Sequence, residues 1–85
     1  MLTLRFAKPA LKSLLQMPSG LARRMKNELD SIANDPAAYR GDWEPLQGTE
    51  FWRLRVGDWR AICEFRDGEV VLLVVKISPR GDAYK

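Results

Sequence analysis

The chain has 85 residues, of which 46% are hydrophobic and 29% charged, and its formal net charge is +3. That length and composition describe one small globular domain, residues 1–85, with a single core rather than a disordered segment. The one cysteine, Cys63, excludes an internal disulfide, and the absence of histidine excludes the usual structural zinc sets and any His-based acid–base mechanism.

The first residues lack a basic stretch followed by a long apolar run, so no signal peptide is expected. The longest apolar run, Val70 to Val75, is too short to span a bilayer, and a cytoplasmic location is expected. Charge is uneven along the chain: residues 1–34 carry net +4, residues 35–50 net −3 and residues 51–85 net +2. Nine of the 14 basic residues are arginine, whose planar fork fits phosphate and carboxylate groups.

Leu2 to Phe6 alternates apolar and polar and predicts a short strand. Pro9 suits the first turn of a following helix, with Leu11, Leu14, Leu15 and Met17 on its inner face and a stop near Pro18. Ser19 is a suitable N-cap for a second helix. Leu21, Ala22, Met25, Leu29, Ile32 and Ala33 recur there at helical spacing, and the helix should end near Asn34, ahead of Asp35 and Pro36. Pro36, Gly41, Pro45 and Gly48 then mark residues 35–49 as a loop, in which Trp43 and Leu46 are the candidate anchors. Trp43 serves either the core or a partner contact.

Beyond the loop, Phe51 to Val56 and Trp59 to Phe65 alternate, and Val70 to Ile77 is nearly all apolar. Gly57-Asp58 and Asp67-Gly68 between them are hairpin signals. A continuous apolar run points to a strand covered on both faces. The fold class is therefore α+β: a strand, a helical hairpin, then a three-stranded antiparallel meander with the helices packed on one sheet face.

Two-residue turns would set Arg55 opposite Arg60 and Arg53 opposite Ile62, and directly opposed residues share a face. Trp52, Leu54, Val56, Trp59, Ala61, Cys63 and Phe65 then form the core face. Arg53, Arg55, Arg60, Ile62 and Glu64 share the other face, which Val71, Leu73, Val75 and Ile77 should join. Like charges directly opposed destabilise a sheet. The arginines are either neutralised by Glu64, Glu50 or Asp58, or kept for a phosphate or acidic partner.

The segment Phe51 to Phe65, FWRLRVGDWRAICEF, resembles the signature of the RelE/ParE toxin superfamily: an aromatic residue, a basic–apolar–basic strand, Val-Gly-Asp-aromatic-Arg, then an apolar strand. Leu46-Gln-Gly48 and the tail from Val75 to Lys85 resemble the flanking motifs of that superfamily, so the resemblance covers essentially the whole chain. It implies a microbial-RNase-like fold and the toxin half of a type II toxin–antitoxin pair. RelE-like members cleave mRNA in the ribosomal A site without metal, whereas ParE-like members poison DNA gyrase. A third possibility is an inert module that only docks an antitoxin.

Carried over by position, the resemblance implies a catalytic set of Arg60, Arg80 and Tyr84 and an RNA-binding set of Arg53, Arg55 and Lys76. Pro79 stands where many relatives have histidine. The implied enzyme is a metal-independent endoribonuclease that uses no cofactor. The implied partners are a cognate antitoxin protein, the ribosome and mRNA, with no membrane, and a higher-order toxin–antitoxin complex. Lys8, Lys12, Arg23, Arg24 and Lys26 either engage rRNA phosphates or form a solvated helix face.

Overall fold

A computed structural model describes residues 1–66, 68 and 70–79. The elements are β1 (Thr3–Phe6), α1 (Lys8–Gln16), α2 (Ser19–Asn34), β2 (Trp43–Pro45), β3 (Trp52–Val56), β4 (Trp59–Arg66) and β5 (Val71–Pro79). They form one five-stranded sheet in the order β1-β5-β4-β3-β2. Strand β1 runs parallel to β5, and the remaining pairs are antiparallel. Among the described residues no helix is long and apolar enough to cross a membrane.

The expected strand, helical hairpin and meander are all present. The sheet is wider than expected because residues 43–45, assigned to a loop by their flanking prolines and glycines, pair with β3. A three-residue strand is too short to show an alternation of its own. It forms because Trp43 opposes Leu54 and stacks on Trp52, with ring centroids 5.1 Å apart and planes 19° apart. Phe65 meets both indoles edge-on, at 6.4 and 6.0 Å. Trp43 therefore packs against the core.

In α1, Ala10 and Leu14 are buried, as is Met17 at its C-cap, while Leu11 and Leu15 are exposed. Of the expected inner face, Leu14 and Met17 are therefore buried and Leu11 and Leu15 are not, and Ala10 takes a place in the stripe where α1 packs on β5. Helix α2 begins at Ser19 with Pro18 in the cap position and no side-chain cap, so Ser19 is its first residue rather than its N-cap. It ends at Asn34 as its spacing predicts and buries Met25, Leu29, Ile32 and Ala33. Its inner face meets Leu54, Val56, Ala61, Cys63, Leu72, Val74 and Ile77 in one core cluster.

The connection after α2 is pinned back onto that helix. Tyr39 donates a hydrogen bond from its phenol to Glu28 Oε1 and lies against Gly41, where a side chain would collide with the ring. Burial, reinforced by the Glu28 carboxylate, raises the phenol's pKa above its ordinary value. The β3–β4 turn takes the predicted form: Val56 opposes Trp59, and Gly57 has φ 60°, the left-handed conformation such a turn needs.

Two expectations about β5 change. The strand is covered by helices on one face only, and on the other Leu73 and Val75 are half-buried and Lys76 is exposed. In addition, a bulge lies between Ile62 and Cys63 in the pairing of β4 with β5. Cys63 opposes Val74 and Ile62 opposes Lys76, which leaves Val75 without an opposite residue. The alternation therefore reverses: Ile77, expected on the arginine face, opposes Ala61 and is buried in the core. Lys76 and Ser78 take the arginine face instead, opposite Ile62 and Arg60.

Cys63 is fully buried beneath the helices, as its place on the core face predicts. Burial raises its thiol pKa from the ordinary 9.0. The unfolded chain therefore loses this proton first as pH rises. Stability from the neutral buried thiol is intact below about pH 9 and declines above it, by about 1.4 kcal/mol per pH unit. Cys63→Ala should remove that part of the alkaline slope, seen in urea midpoints measured between about pH 8 and 10.

Candidate functional site

The sheet face turned away from the helices collects most of the predicted site. Strand β3 contributes Arg53 and Arg55, β4 contributes Arg60, Ile62 and Glu64, and β5 contributes Lys76 and Ser78. Arg55 directly opposes Arg60, as the two-residue turn predicts. Arg80 and Tyr84 lie outside the described residues.

The arginines are not equivalent. Arg53 is 9% exposed, and its Nη2 donates to Asp42 Oδ1 and to Glu44 Oε1, each at 2.8 Å. Glu44 is its partner from β2, and Asp42 is held next to that strand by the hydrogen bond from Arg55 N to its carbonyl, 2.9 Å. The acids expected to neutralise the cluster were Glu64, Glu50 and Asp58. Instead, among the described residues, the neutralisation falls on Arg53 and comes from Asp42 and Glu44. Glu64 is engaged by Arg66 Nε at 2.6 Å.

Arg55 and Arg60 have no carboxylate partner among the described residues. Arg55 is exposed, and its Nε–H donates to the carbonyl of Gly57 at 3.2 Å, which holds the side chain near its own turn. Arg60 is half-buried, with a buried Nε that has no hydrogen-bond partner among the described residues. Neither arginine makes an ion pair among the described residues. Lys76 is exposed one strand away, opposite Ile62, and is likewise without an ion pair there.

Two like charges held face to face cost the sheet up to about 1 kcal/mol. A fold that supplies two carboxylates to Arg53 and, among the described residues, none to Arg55 or Arg60 keeps positive potential at one end of the face. The half-buried Arg60 guanidinium sits in a lower effective dielectric than water, where it attracts an oxyanion more strongly. Chemically, the arrangement can bind phosphate esters and offset charge that develops on phosphoryl oxygens.

Residue-by-residue reading of the sequence missed Asp42, Glu44 and Ser78. A signal for the two acids exists in the complementary patterns Asp-Trp-Glu at 42–44 and Arg-Leu-Arg at 53–55, which alternate acid and base about apolar centres. No comparable signal exists for Ser78, since only the bulge decides which face it takes.

A family described as ParE toxin of type II toxin-antitoxin system, parDE, matches residues 4–84. The structure is similar to the toxin in the archaeal RelE–RelB complex from Pyrococcus horikoshii OT3, with TM-score 0.79 and 28% identity over 96% of this chain and 98% of that one. It shares its fold with a chain of the intact E. coli RelBE toxin–antitoxin complex (TM-score 0.78, 19% identity, 96% and 99% of the two chains). It shares it too with the YoeB/ParE toxin from Agrobacterium tumefaciens (TM-score 0.78, 15% identity, 93% and 99% covered). Among curated proteins the sequence finds no match.

Proposed function

Since the chain belongs to the RelE/ParE toxin family of type II toxin–antitoxin systems, we propose that it is a RelE-like toxin, a metal-independent endoribonuclease that cuts mRNA on the ribosome. The observation that carries this reading is the Arg55–Arg60 pair, with Lys76 nearby and no carboxylate bound to any of the three among the described residues. A like-charge pair left open on a sheet face fits an anionic substrate.

The reaction uses the substrate's own nucleophile. The 2′-hydroxyl oxygen attacks the adjacent phosphorus, so that the O2′–P bond forms while the P–O5′ bond breaks. The hydroxyl proton passes to a base, and the departing 5′ oxygen collects a proton from water. The products are a 2′,3′-cyclic phosphate and a 5′-hydroxyl end.

In this reading Arg60 and Arg80 offset the charge of the pentacoordinate phosphorus. Arg55 and Lys76 hold flanking phosphates. Arg53 joins them with its two carboxylates attached, so its share of the contact is smaller than that of Arg55. Tyr84 serves as the base, a role that needs neighbouring cations to favour its phenolate. The ribosome orients the RNA, and positioning supplies much of the barrier reduction that a site without histidine lacks. The protein acts in the cytoplasm, where ribosomes are.

The partner that silences it is a cognate antitoxin with an acidic amphipathic segment, laid over the arginine face and the half-buried Leu73 and Val75. Co-expression with that antitoxin should raise soluble yield. A chain that accumulates harmlessly by itself would contradict this.

One observation favours a second reading, the ParE-like gyrase poison: the family that matches residues 4–84 is described by the ParE toxin. Primer extension on a defined mRNA in a reconstituted translation reaction, with and without ribosomes, separates the two. Cuts that require ribosomes support the nuclease. Intact mRNA with blocked gyrase supercoiling supports the poison, and neither effect leaves an inert antitoxin-binding module.

A further inference from the structure

Ser78 carries a buried hydroxyl with no hydrogen-bond partner among the described residues. It lies directly across the sheet from Arg60, whose Nε is also buried and unpartnered. Buried polar atoms in folded proteins nearly always have partners; of the three such orphans among the described residues, Arg53 Nε belongs to a guanidinium already held by two carboxylates, and the two on directly opposed residues call for a common explanation. They do not satisfy each other, although an Nε–H and a hydroxyl oxygen on opposed residues are chemically suited to do so. What both lack is an acceptor, and the group that accepts from a guanidinium and a hydroxyl together is an oxyanion.

The backbone points to the same place. Without the bulge at Ile62/Cys63, strand alternation would put Ile77 on this face and turn Ser78 toward the helices. The bulge reverses that and sets a hydroxyl opposite Arg60. Bulges are concentrated near active sites because they re-aim side chains in this way. Pro79 restricts the backbone of Ser78 to extended conformations, which holds its direction. Both residues keep part of their surface in solvent, so rotation of side chains is sufficient to bring the two donors to a ligand.

We propose that Ser78 and Arg60 together form a phosphate-binding site, in which the Ser78 hydroxyl and the Arg60 Nε–H donate to non-bridging oxygens of one phosphate group. The inference rests on the nuclease reading for the identity of that group, the scissile phosphate of the RNA. The binding itself is open to test without it.

The probe is inorganic phosphate, titrated into the isotopically labelled full chain while the arginine Nε–H resonances are followed by NMR. The Arg60 resonance should shift saturably. Ser78→Ala should bind phosphate about tenfold more weakly, and Ser78→Thr, which keeps the hydroxyl, should bind like the wild type. Because the hydroxyl has no partner among the described residues, Ser78→Ala should melt at the same temperature as the wild type or higher. A purely structural serine would give the opposite result. In the ribosome assay Ser78→Ala should lower kcat about tenfold with KM little changed.

An Arg60 resonance that ignores phosphate, or a Ser78→Ala protein that binds phosphate and cleaves RNA like the wild type, overturns the proposal and leaves the nuclease reading standing. Ser78-dependent phosphate binding in a chain that cuts no RNA does the reverse: the site stands and the nuclease reading falls.

Discussion

Arg60→Ala is expected to reduce ribosome-dependent cleavage by about 10²–10³-fold, the usual cost of removing one preorganised donor from a transition state that gathers charge. Arg60 is suited to that role by position. It is half-buried, opposed by Arg55 and flanked by Ser78, with no carboxylate drawing off its charge among the described residues. The substitution should not unfold the protein. It removes one member of a like-charge pair, and the melting temperature should hold or rise slightly. Arg60→Lys is the informative companion. It keeps the charge but loses the planar fork, and should recover only part of the rate. The measurement is primer extension under single-turnover conditions beside a thermal melt. Cleavage by Arg60→Ala at the wild-type rate would remove the residue from the mechanism.

The largest effect on stability is expected at Leu72. It is wholly buried near the start of β5, where that strand pairs with both β1 and β4, and it packs in the core cluster beneath the helices. Leu72→Ala should cost about 3 kcal/mol in lost transfer energy and residual cavity. A domain of this length has about 5–10 kcal/mol in total, and each kcal/mol lowers the melting temperature by about 4–8 °C. A fall of about 12–24 °C in a circular dichroism melt is therefore expected. Leu15, 78% exposed on α1, is the control, and its change to alanine should stay within about 0.5 kcal/mol. Equal shifts for the two leucines would show that β5 is not the centre of the core.

How far the sequence could be read depended on where period and pairing are local. The β3–β4 hairpin is joined by the two residues Gly57-Asp58, so its register follows from the turn alone, and the opposition of Arg55 and Arg60 could be stated at once. The boundaries of α2 were legible from Pro18 and Pro36 and from the recurrence of Met25, Leu29 and Ile32. Three features were not legible. The pairing of β2 depends on Trp43 finding Trp52 from nine residues away in the chain, and no local pattern announces it. The inner stripe of α1 runs through Ala10, so its leucines misdirect the eye. The bulge leaves no mark on the run Val70 to Ile77, which reads as apolar whichever face is inward. The last of these moved Ile77 into the core and put Ser78 beside Arg60.

The parallel pairing of β1 with β5 has a consequence for synthesis. Thr3 opposes Val71 and Phe6 opposes Val74, so the first strand made must wait for the last strand described before it has a neighbour. Strand β4 waits too, since its longest set of partners is on β5. While residues 71–79 are still inside the ribosome, the nascent chain holds two helices and a hairpin but no central strand. Such long-range closure is slow, and it favours all-or-none folding after the C-terminal strand emerges. A nascent copy therefore holds Arg55 and Arg60 on its hairpin before Lys76 and Ser78 can join them from β5. The interval before β5 docks is also when the inner faces of the helices and the hairpin lack their cover, and so when the chain is most open to aggregation.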